Sequence, residues 1–179
     1  TVDLGTGDGR FVVSHAASHP DRFVLGVDAS ADAMRQASRR APANARFVVA
    51  ALEALPEELA GVADLVTVQF PWGSLRAAAA GHDPAPAGRI ARLIRPGGRL
   101  DLLLADGDGN GAGPLDPDAV VAAWRALGLL PIEARPAGLA DAVAAHSSWG
   151  KRLLRNPRPG RTAWRFRLAG PSAGADGRG

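Results

Sequence analysis

The chain has no cysteine, only one lysine, and no apolar run near the roughly 18 residues of a membrane helix. Without cysteine there are no disulfides, no thiolate nucleophile and no cysteine-built zinc site. The short apolar runs exclude a transmembrane helix, and no signal-peptide pattern opens the chain, so a cytoplasmic home and no membrane partner are expected. The four histidines, His15, His19, His82 and His146, lack ligand spacing, so no metal site is expected. There is no initiator methionine. The chain opens inside a strand pattern, Thr1 to Gly5, and reads as a fragment or trimmed form. Its 179 residues suffice for one domain with a real core, expected as a monomer.

What is present is arginine: 20 of the 21 basic residues, Lys151 being the exception. With abundant Ala, Gly and Pro this looks like the coding bias of a GC-rich bacterial genome. Charge is unevenly spread. Residues 1–146 carry 13 basic and 17 acidic side chains, whereas 147–179 carry 8 basic and 1 acidic. A basic segment on an acidic body is the footprint of a polyanion binder, the bland alternative being a solvated basic tail.

Short apolar runs alternate with helical patterns. The pattern predicts strands over 1–4, 23–27, 46–50, 64–70, 99–105, 130–135 and 162–168, and helices over 10–18, 31–40, 74–80, 87–94 and 117–127. This alternation implies an α/β fold with a mostly parallel sheet covered on both faces. Seven strands with a Rossmann-like start suggest the class I S-adenosylmethionine-dependent methyltransferase arrangement, whose last strand returns antiparallel. Pro96-Gly97-Gly98 is expected to end a helix and turn into the fifth strand, and Gly107 to Gly113 to form a flexible loop. A single domain is expected over 1–169, with an insertion at about 136–161 between the last two strands. A hairpin there would need only a few residues, so the insertion reads as a functional one that binds substrate. Residues 170–179 read as a disordered tail.

The motif Asp3-x-Gly5-x-Gly7-x-Gly9 ends the first strand and precedes a helix. Glycines there permit a tight turn and close approach to a ligand. Asp28 closes the second strand, where an acid can accept hydrogen bonds from ribose hydroxyls. A dinucleotide would also suit such a turn. Two details favour S-adenosylmethionine: Asp3 would repel a pyrophosphate but welcome an ammonium, and the spacing is G-x-G-x-G. Ala51 and Glu53, after the third strand, are placed for the adenine edge.

Two further motifs stand out: Phe70-Pro71-Trp72-Gly73 after the fourth strand, and Ser147-Ser148-Trp149-Gly150-Lys151-Arg152 at the start of the basic segment. Two tryptophans so placed could hold a flat base between them, stacking being worth about 1–3 kcal/mol per base. A lone tryptophan after a strand is more often core; the flanking Pro and Gly, and the repeated Trp-Gly, argue against that. Trp124 and Trp164 sit on helix and strand patterns and read as packing residues.

Asp3-Leu4-Gly5-Thr6-Gly7-Asp8-Gly9-Arg10, Gly26-Val27-Asp28 and the two tryptophan motifs, in that order, resemble the 16S ribosomal RNA methyltransferases that modify N1 of adenosine 1408 and confer aminoglycoside resistance. The likeness runs to about Leu168. It implies that Asp3, Gly5, Gly7 and Asp28 hold S-adenosylmethionine, with Ala51, Glu53 and Ser74 lining its pocket. Trp72 and Trp149 would clasp the flipped adenine, with Ser147 positioning the tryptophan segment and Arg161 near the target nucleotide. Ser147, Lys151, Arg152 and Arg158 would face 16S rRNA in the 30S subunit. The chain departs from that family in lacking an N-terminal β-hairpin, in a shorter stretch from Trp72 to Trp149, and in a brief basic linker that leaves Arg35, Arg39, Arg40 and Arg46. The rival readings are a tRNA guanine-N7 methyltransferase, which shares the glycine start but not the Ser-Ser-Trp-Gly-Lys-Arg segment, a small-molecule methyltransferase, and a non-catalytic RNA-binding homologue.

Overall fold

Seven β-strands form one sheet in a computed structural model that describes residues 1–106, 114–155 and 162–171. The strands are β1 (Val2–Leu4), β2 (Val24–Asp28), β3 (Ala45–Val49), β4 (Ala63–Gln69), β5 (Ile94–Asp106), β6 (Leu130–Pro136) and β7 (Thr162–Ala169). Their order is β3-β2-β1-β4-β5-β7-β6, with β7 antiparallel to both neighbours and the first five strands mutually parallel. The expected α/β sheet with one reversed strand is the observed one. Among the described residues, no helix is long and apolar enough to cross a membrane.

The helices are α1 (Arg10–Ser18), α2 (Ala31–Arg39), α3 (Gly73–Ala79), α4 (Pro84–Leu93), α5 (Pro117–Ala126), α6 (Leu139–Ala144) and α7 (Ser148–Arg155). Local chemistry explains their starts. Ser30 Oγ accepts the Ala33 amide at the head of α2, and Asp116 Oδ1 accepts the amides of Asp118 and Ala119 ahead of Pro117 in α5. The start of α4 corrects the sequence expectation by three residues. Asp83 Oδ1 accepts the Ala85 amide, and Pro84, with its fixed φ, is suited to a helix's first turn rather than a loop.

A second correction concerns Pro96-Gly97-Gly98. The helix ends earlier, at Leu93, and Ile94 already pairs with Ala63, so the Pro-Gly-Gly lies inside β5 as an irregularity. The register on β4 shifts between Ala63 and Leu65 to accommodate it. A Cβ on Gly98 would sit 2.7 Å from the Ala63 carbonyl oxygen, so only glycine fits. Gly170 and Pro171, expected in the disordered tail, are pinned here: Gly170 N donates to Gly98 O and Gly97 N to Pro171 O, both at 2.8 Å. The rest of that tail, 172–179, and the expected loop at 107–113 lie outside the described residues.

The largest apolar cluster joins the sheet to α3, α4 and α5 and holds Val66, Leu100, Leu102, Ile90 and Trp124. Trp124 is fully buried and its indole N–H donates to Ala79 O at 3.0 Å, which satisfies the one polar atom the ring carries. A second cluster packs α1 against β2 and β3 through Val12, Ala16, Val24 and Ala45. A third gathers Phe70, Leu103, Ala142, Ala145 and Ala163 with Trp149, Leu153 and Leu154, and seats α6 and α7 over the ends of β4, β5 and β7.

Candidate active site

The carboxyl ends of β1, β2 and β4 open onto a cavity of about 560 Å³. Its lining includes Asp3, Gly5, Gly7, Asp28, Ala51, Glu53, Trp72, Ser74, Ser147, Trp149 and Arg152, residues separated by up to 149 positions in sequence. A ligand site at the carboxyl edge is where open α/β sheets place one.

The floor is the glycine turn. Gly5, Gly7 and Gly9 have φ of +69°, +55° and +71°, a region that disfavours any side chain. Gly5 and Thr6 donate their amides to Val27 O, and the Gly7 amide donates to Asp28 Oδ2 at 2.8 Å. The other Asp28 oxygen accepts the Ser30 amide at 2.8 Å. Asp28 therefore props the turn as well as lining the cavity, a structural duty its sequence position alone did not reveal.

Asp3 is buried beneath the turn, and Thr67 Oγ1 donates to its Oδ1 at 2.6 Å. Burial pushes the Asp3 carboxyl up to about 6, against the lowering pull of the Thr67 and Thr6 hydroxyls. A buried carboxylate without a cationic partner is costly, and a ligand bringing an ammonium group relieves that cost. Gln69 was not foreseen. It ends β4 on the cavity wall, and its buried amide oxygen has no partner among the described residues. A polar residue interrupting an apolar strand at its last position was the available signal. These donors and acceptors fit the polar end of an aminoacyl-nucleoside cofactor.

The mouth is built from the two tryptophan motifs. Phe70 has φ of +50°, rare for a bulky residue, so the chain breaks sharply as β4 ends. Its amide is nevertheless held by Leu103 O at 2.7 Å. Gly73, at φ +55°, then starts α3, and Trp72 between them is left 51% exposed at the rim. On the other side, α7 begins directly after Ser147, whose Oγ accepts the Gly150 amide at 2.9 Å and whose carbonyl accepts the Lys151 amide at 3.0 Å. Gly150 is forced by packing: a Cβ there would lie 2.4 Å from the Phe70 ring. The two motifs therefore touch through Phe70 and Gly150.

Trp72 and Trp149 have ring centroids 5.1 Å apart and planes inclined at 72°. The sequence placed both tryptophans at the mouth without fixing how their rings lie to one another. A base sandwiched between two indoles needs them parallel and about 7 Å apart, two stacking distances of about 3.5 Å. The mouth is closed edge-to-face, with Phe70 edge-on to Trp149 at 5.5 Å behind it. Of the two indoles, Trp72 is the more exposed.

Ion pairs seat α6 and, through it, α7. Asp141 accepts both Arg135 Nη1 and Nη2, at 2.8 and 2.9 Å, together with Arg165 Nη1 at 2.7 Å and the Gly138 amide at 2.8 Å. The Arg135 guanidinium, with the Gly138 amide and Arg165 beside it, holds the Asp141 carboxyl well below the usual carboxylate range. Arg165 and Arg167 also face Asp101 and Glu133 across the sheet. Two of the eight basic residues counted in the C-terminal segment are thus neutralised within the fold, which weakens the charge-split reading. On α7 itself Arg152 lines the cavity mouth, Arg155 is exposed and Lys151 is half-buried outside the lining. Arg158 and Arg161 lie outside the described residues. Of the basic linker, Arg35 pairs with Asp32 and Arg46 donates to the Ala43 and Ala45 carbonyls, while Arg39 and Arg40 are exposed. Among the described residues no cluster of acids and histidines could hold a metal ion.

A reversed seventh strand in this order, a glycine turn after β1 and an acid ending β2 define a Rossmann-like methyltransferase domain. The chain belongs to the 16S rRNA (adenine(1408)-N(1))-methyltransferase family, NpmA, whose profile matches residues 1–164. A relative from Escherichia coli, named 16S rRNA (adenine(1408)-N(1))-methyltransferase, is 38% identical over 82 residues, 41% of this chain and 37% of that protein. The aligned stretch thus spans little more than a third of that relative's length. Among solved structures, the aminoglycoside resistance methyltransferase NpmB1 is 37% identical with a TM-score of 0.73, over 94% of this chain and 85% of that one. A tryptophan variant of the 16S rRNA (adenine(1408)-N(1))-methyltransferase from Catenulisporales acidiphilia, crystallised with cosubstrate SAM, is 25% identical with a TM-score of 0.79, over 98% of this chain and 87% of that one.

Proposed function

We propose that this chain binds S-adenosylmethionine in the cavity above β1 and β2 and methylates N1 of adenosine 1408 in 16S rRNA of the 30S subunit, acting as a monomer in the cytoplasm. The observation that carries the reading is the meeting of Trp72 and Trp149, 5.1 Å apart, at the mouth of the same cavity whose floor holds Asp3 and the glycine turn. In this reading Asp3 receives the methionine ammonium, and Ala51, Glu53 and Ser74 line the nucleoside part. The cofactor supplies an electrophilic methyl group; the protein's work is everything else.

Adenine N1 carries an in-plane lone pair and no proton, so attack on the methyl carbon needs no general base. The task is alignment of N1 with the methyl–sulfur bond, which is catalysis by positioning. The N1–methyl bond would form as the sulfur–methyl bond breaks, with S-adenosylhomocysteine leaving and the positive charge passing from sulfur to the adenine ring. Indole faces on either side stabilise it by about 0.5–2 kcal/mol each, depending on desolvation. Their stacking also offsets the few kcal/mol needed to pull the base from its helix. Arg152 at the mouth, with Lys151, Arg155, Arg158 and Arg161, supplies charge for the flanking phosphates, and Ser147 holds the turn that presents Trp149. A methylated, cationic base at a drug-docking position then gives aminoglycoside resistance.

The test is methyl transfer from tritiated cofactor to three acceptors: assembled 30S subunits, protein-free 16S rRNA, and tRNA. Label on 30S subunits and little on tRNA supports the reading. Label on tRNA alone favours the guanine-N7 alternative, and cofactor binding without transfer to any RNA favours a non-catalytic RNA binder.

A further inference from the structure

We propose that Arg10 is a positioning residue that sets the orientation of Trp149, acting through Ser148. The inference rests on the function proposed above. Arg10 begins α1, at the end of the glycine turn, and is 138 residues from Ser148 in sequence. Its Nη1 donates to Ser148 Oγ at 2.7 Å, while its Nε pairs with Asp8 Oδ2 at 3.1 Å and its backbone amide donates to Asp8 Oδ1 at 3.2 Å. Among the described residues this is the one side-chain hydrogen bond that leaves α7 for another element.

The remaining contacts of α7 are apolar. Gly150, Leu153 and Leu154 rest on Phe70 and its neighbours, and Trp149 meets Phe70 and Trp72 edge-on. Apolar contacts are not directional, so a short helix resting on them can roll. An indole about 6 Å from the helix axis moves about 2 Å for a roll of about 20°. That displacement is large for a group that must hold a base in line with a methyl donor. A directional bond to the residue beside Trp149 opposes the roll. It also fastens the base-holding helix to the turn that cradles the cofactor.

The chemistry calls for arginine. One edge of the guanidinium faces Asp8 while the other reaches Ser148, a two-sided fork that lysine's single ammonium does not reproduce. Asp8 thus fixes the side chain, and Ser148 receives it.

The experiment compares Arg10→Lys, Ser148→Ala and the double variant on 30S subunits. Each single variant is expected to lower kcat by about 3- to 10-fold with S-adenosylmethionine affinity unchanged, and the double variant to be no worse than either single one. The salt dependence of 30S binding stays as in the parent. A direct phosphate contact by Arg10 would instead leave Arg10→Lys near parental activity and Ser148→Ala neutral, and would overturn the proposal; so would additive losses in the double variant. An arm independent of RNA uses 5-fluorotryptophan-labelled protein. Both single variants should move the Trp149 fluorine resonance and leave that of Trp124 in place; an unmoved Trp149 resonance overturns the proposal even if the 30S subunit proves not to be the substrate. If the parent protein transfers no methyl group to 30S subunits while the Trp149 resonance moves as expected, the functional reading fails and the positioning role stands.

Discussion

Replacing Asp3 with Asn separates what this carboxylate does for the fold from what it does for the ligand. Burial raises the Asp3 carboxyl from 3.8 to about 6, so the folded protein prefers it protonated. For an acid shifted this way, stability is greatest below the unfolded value, falls as pH rises from about 4 to about 6, and is flat above. At about 1.4 kcal/mol per unit, a shift of about 2 units costs the ligand-free protein about 3 kcal/mol at neutral pH. Asn is neutral at every pH and keeps an oxygen for the Thr67 hydroxyl. The Asp3→Asn protein is therefore expected to gain about 2–3 kcal/mol near pH 7.5, with the gain shrinking to nothing near pH 4. Stabilisation by S-adenosylmethionine should vanish with the carboxylate. Parental affinity for the cofactor should weaken as pH falls below about 6, because the ammonium then meets a neutral acid. Urea unfolding from pH 4 to 8, with and without cofactor, reads all of this. A variant less stable than the parent at pH 7.5, or a gain independent of pH, would refute the argument.

Three further outcomes are expected. Trp72→Ala and Trp149→Ala should each lower methyl transfer to 30S subunits by roughly 10- to 100-fold, matching about 1–3 kcal/mol of lost stacking, with cofactor affinity by calorimetry within about twofold of the parent. Gly150→Ala drives a methyl group into the Phe70 ring, 2.4 Å away, and should cost about 1–3 kcal/mol in docking α7; methyl transfer falls while cofactor binding persists. Asp141→Asn should lower the unfolding free energy by about 1–3 kcal/mol at pH 7, since it weakens the bonds from Arg135 and Arg165, which keep Glu133 and Asp101 as partners. Because this carboxyl is held below its ordinary range, its contribution is present above about pH 4 and fades as pH falls, so the difference between variant and parent should narrow in acid melts.

The strands and the cofactor floor were legible because their signals are local. A run such as Leu65-Val66-Thr67-Val68 can only be a buried strand, and Gly5, Gly7 and Gly9 announce a turn wherever they fall. The helices α6 and α7 were not anticipated. At six and eight residues they are too short to be stable alone, and part of what holds them is remote in sequence: Arg165, beside the nearer Arg135, for α6, and Phe70 and Arg10 for α7. The half-buried pairing of Arg165 and Arg167 with Asp101 and Glu133 follows from strand order and alternation, so it becomes readable only once β7 is placed between β5 and β6. Trp72 and Trp149 could be named from their motifs, but their edge-to-face contact depends on the roll of α7 and the left-handed backbone at Phe70, which no local pattern encodes.

The most direct test of the central claim is primer extension across position 1408 of 16S rRNA after incubating 30S subunits with the protein and S-adenosylmethionine. A methyl on N1 blocks the Watson–Crick edge and halts reverse transcriptase. The account predicts a cofactor-dependent stop at adenosine 1408 that Trp149→Ala weakens by roughly 10- to 100-fold at equal enzyme and time. Labelled 30S subunits with no stop there, or a stop of parental strength after loss of the tryptophan, would contradict it.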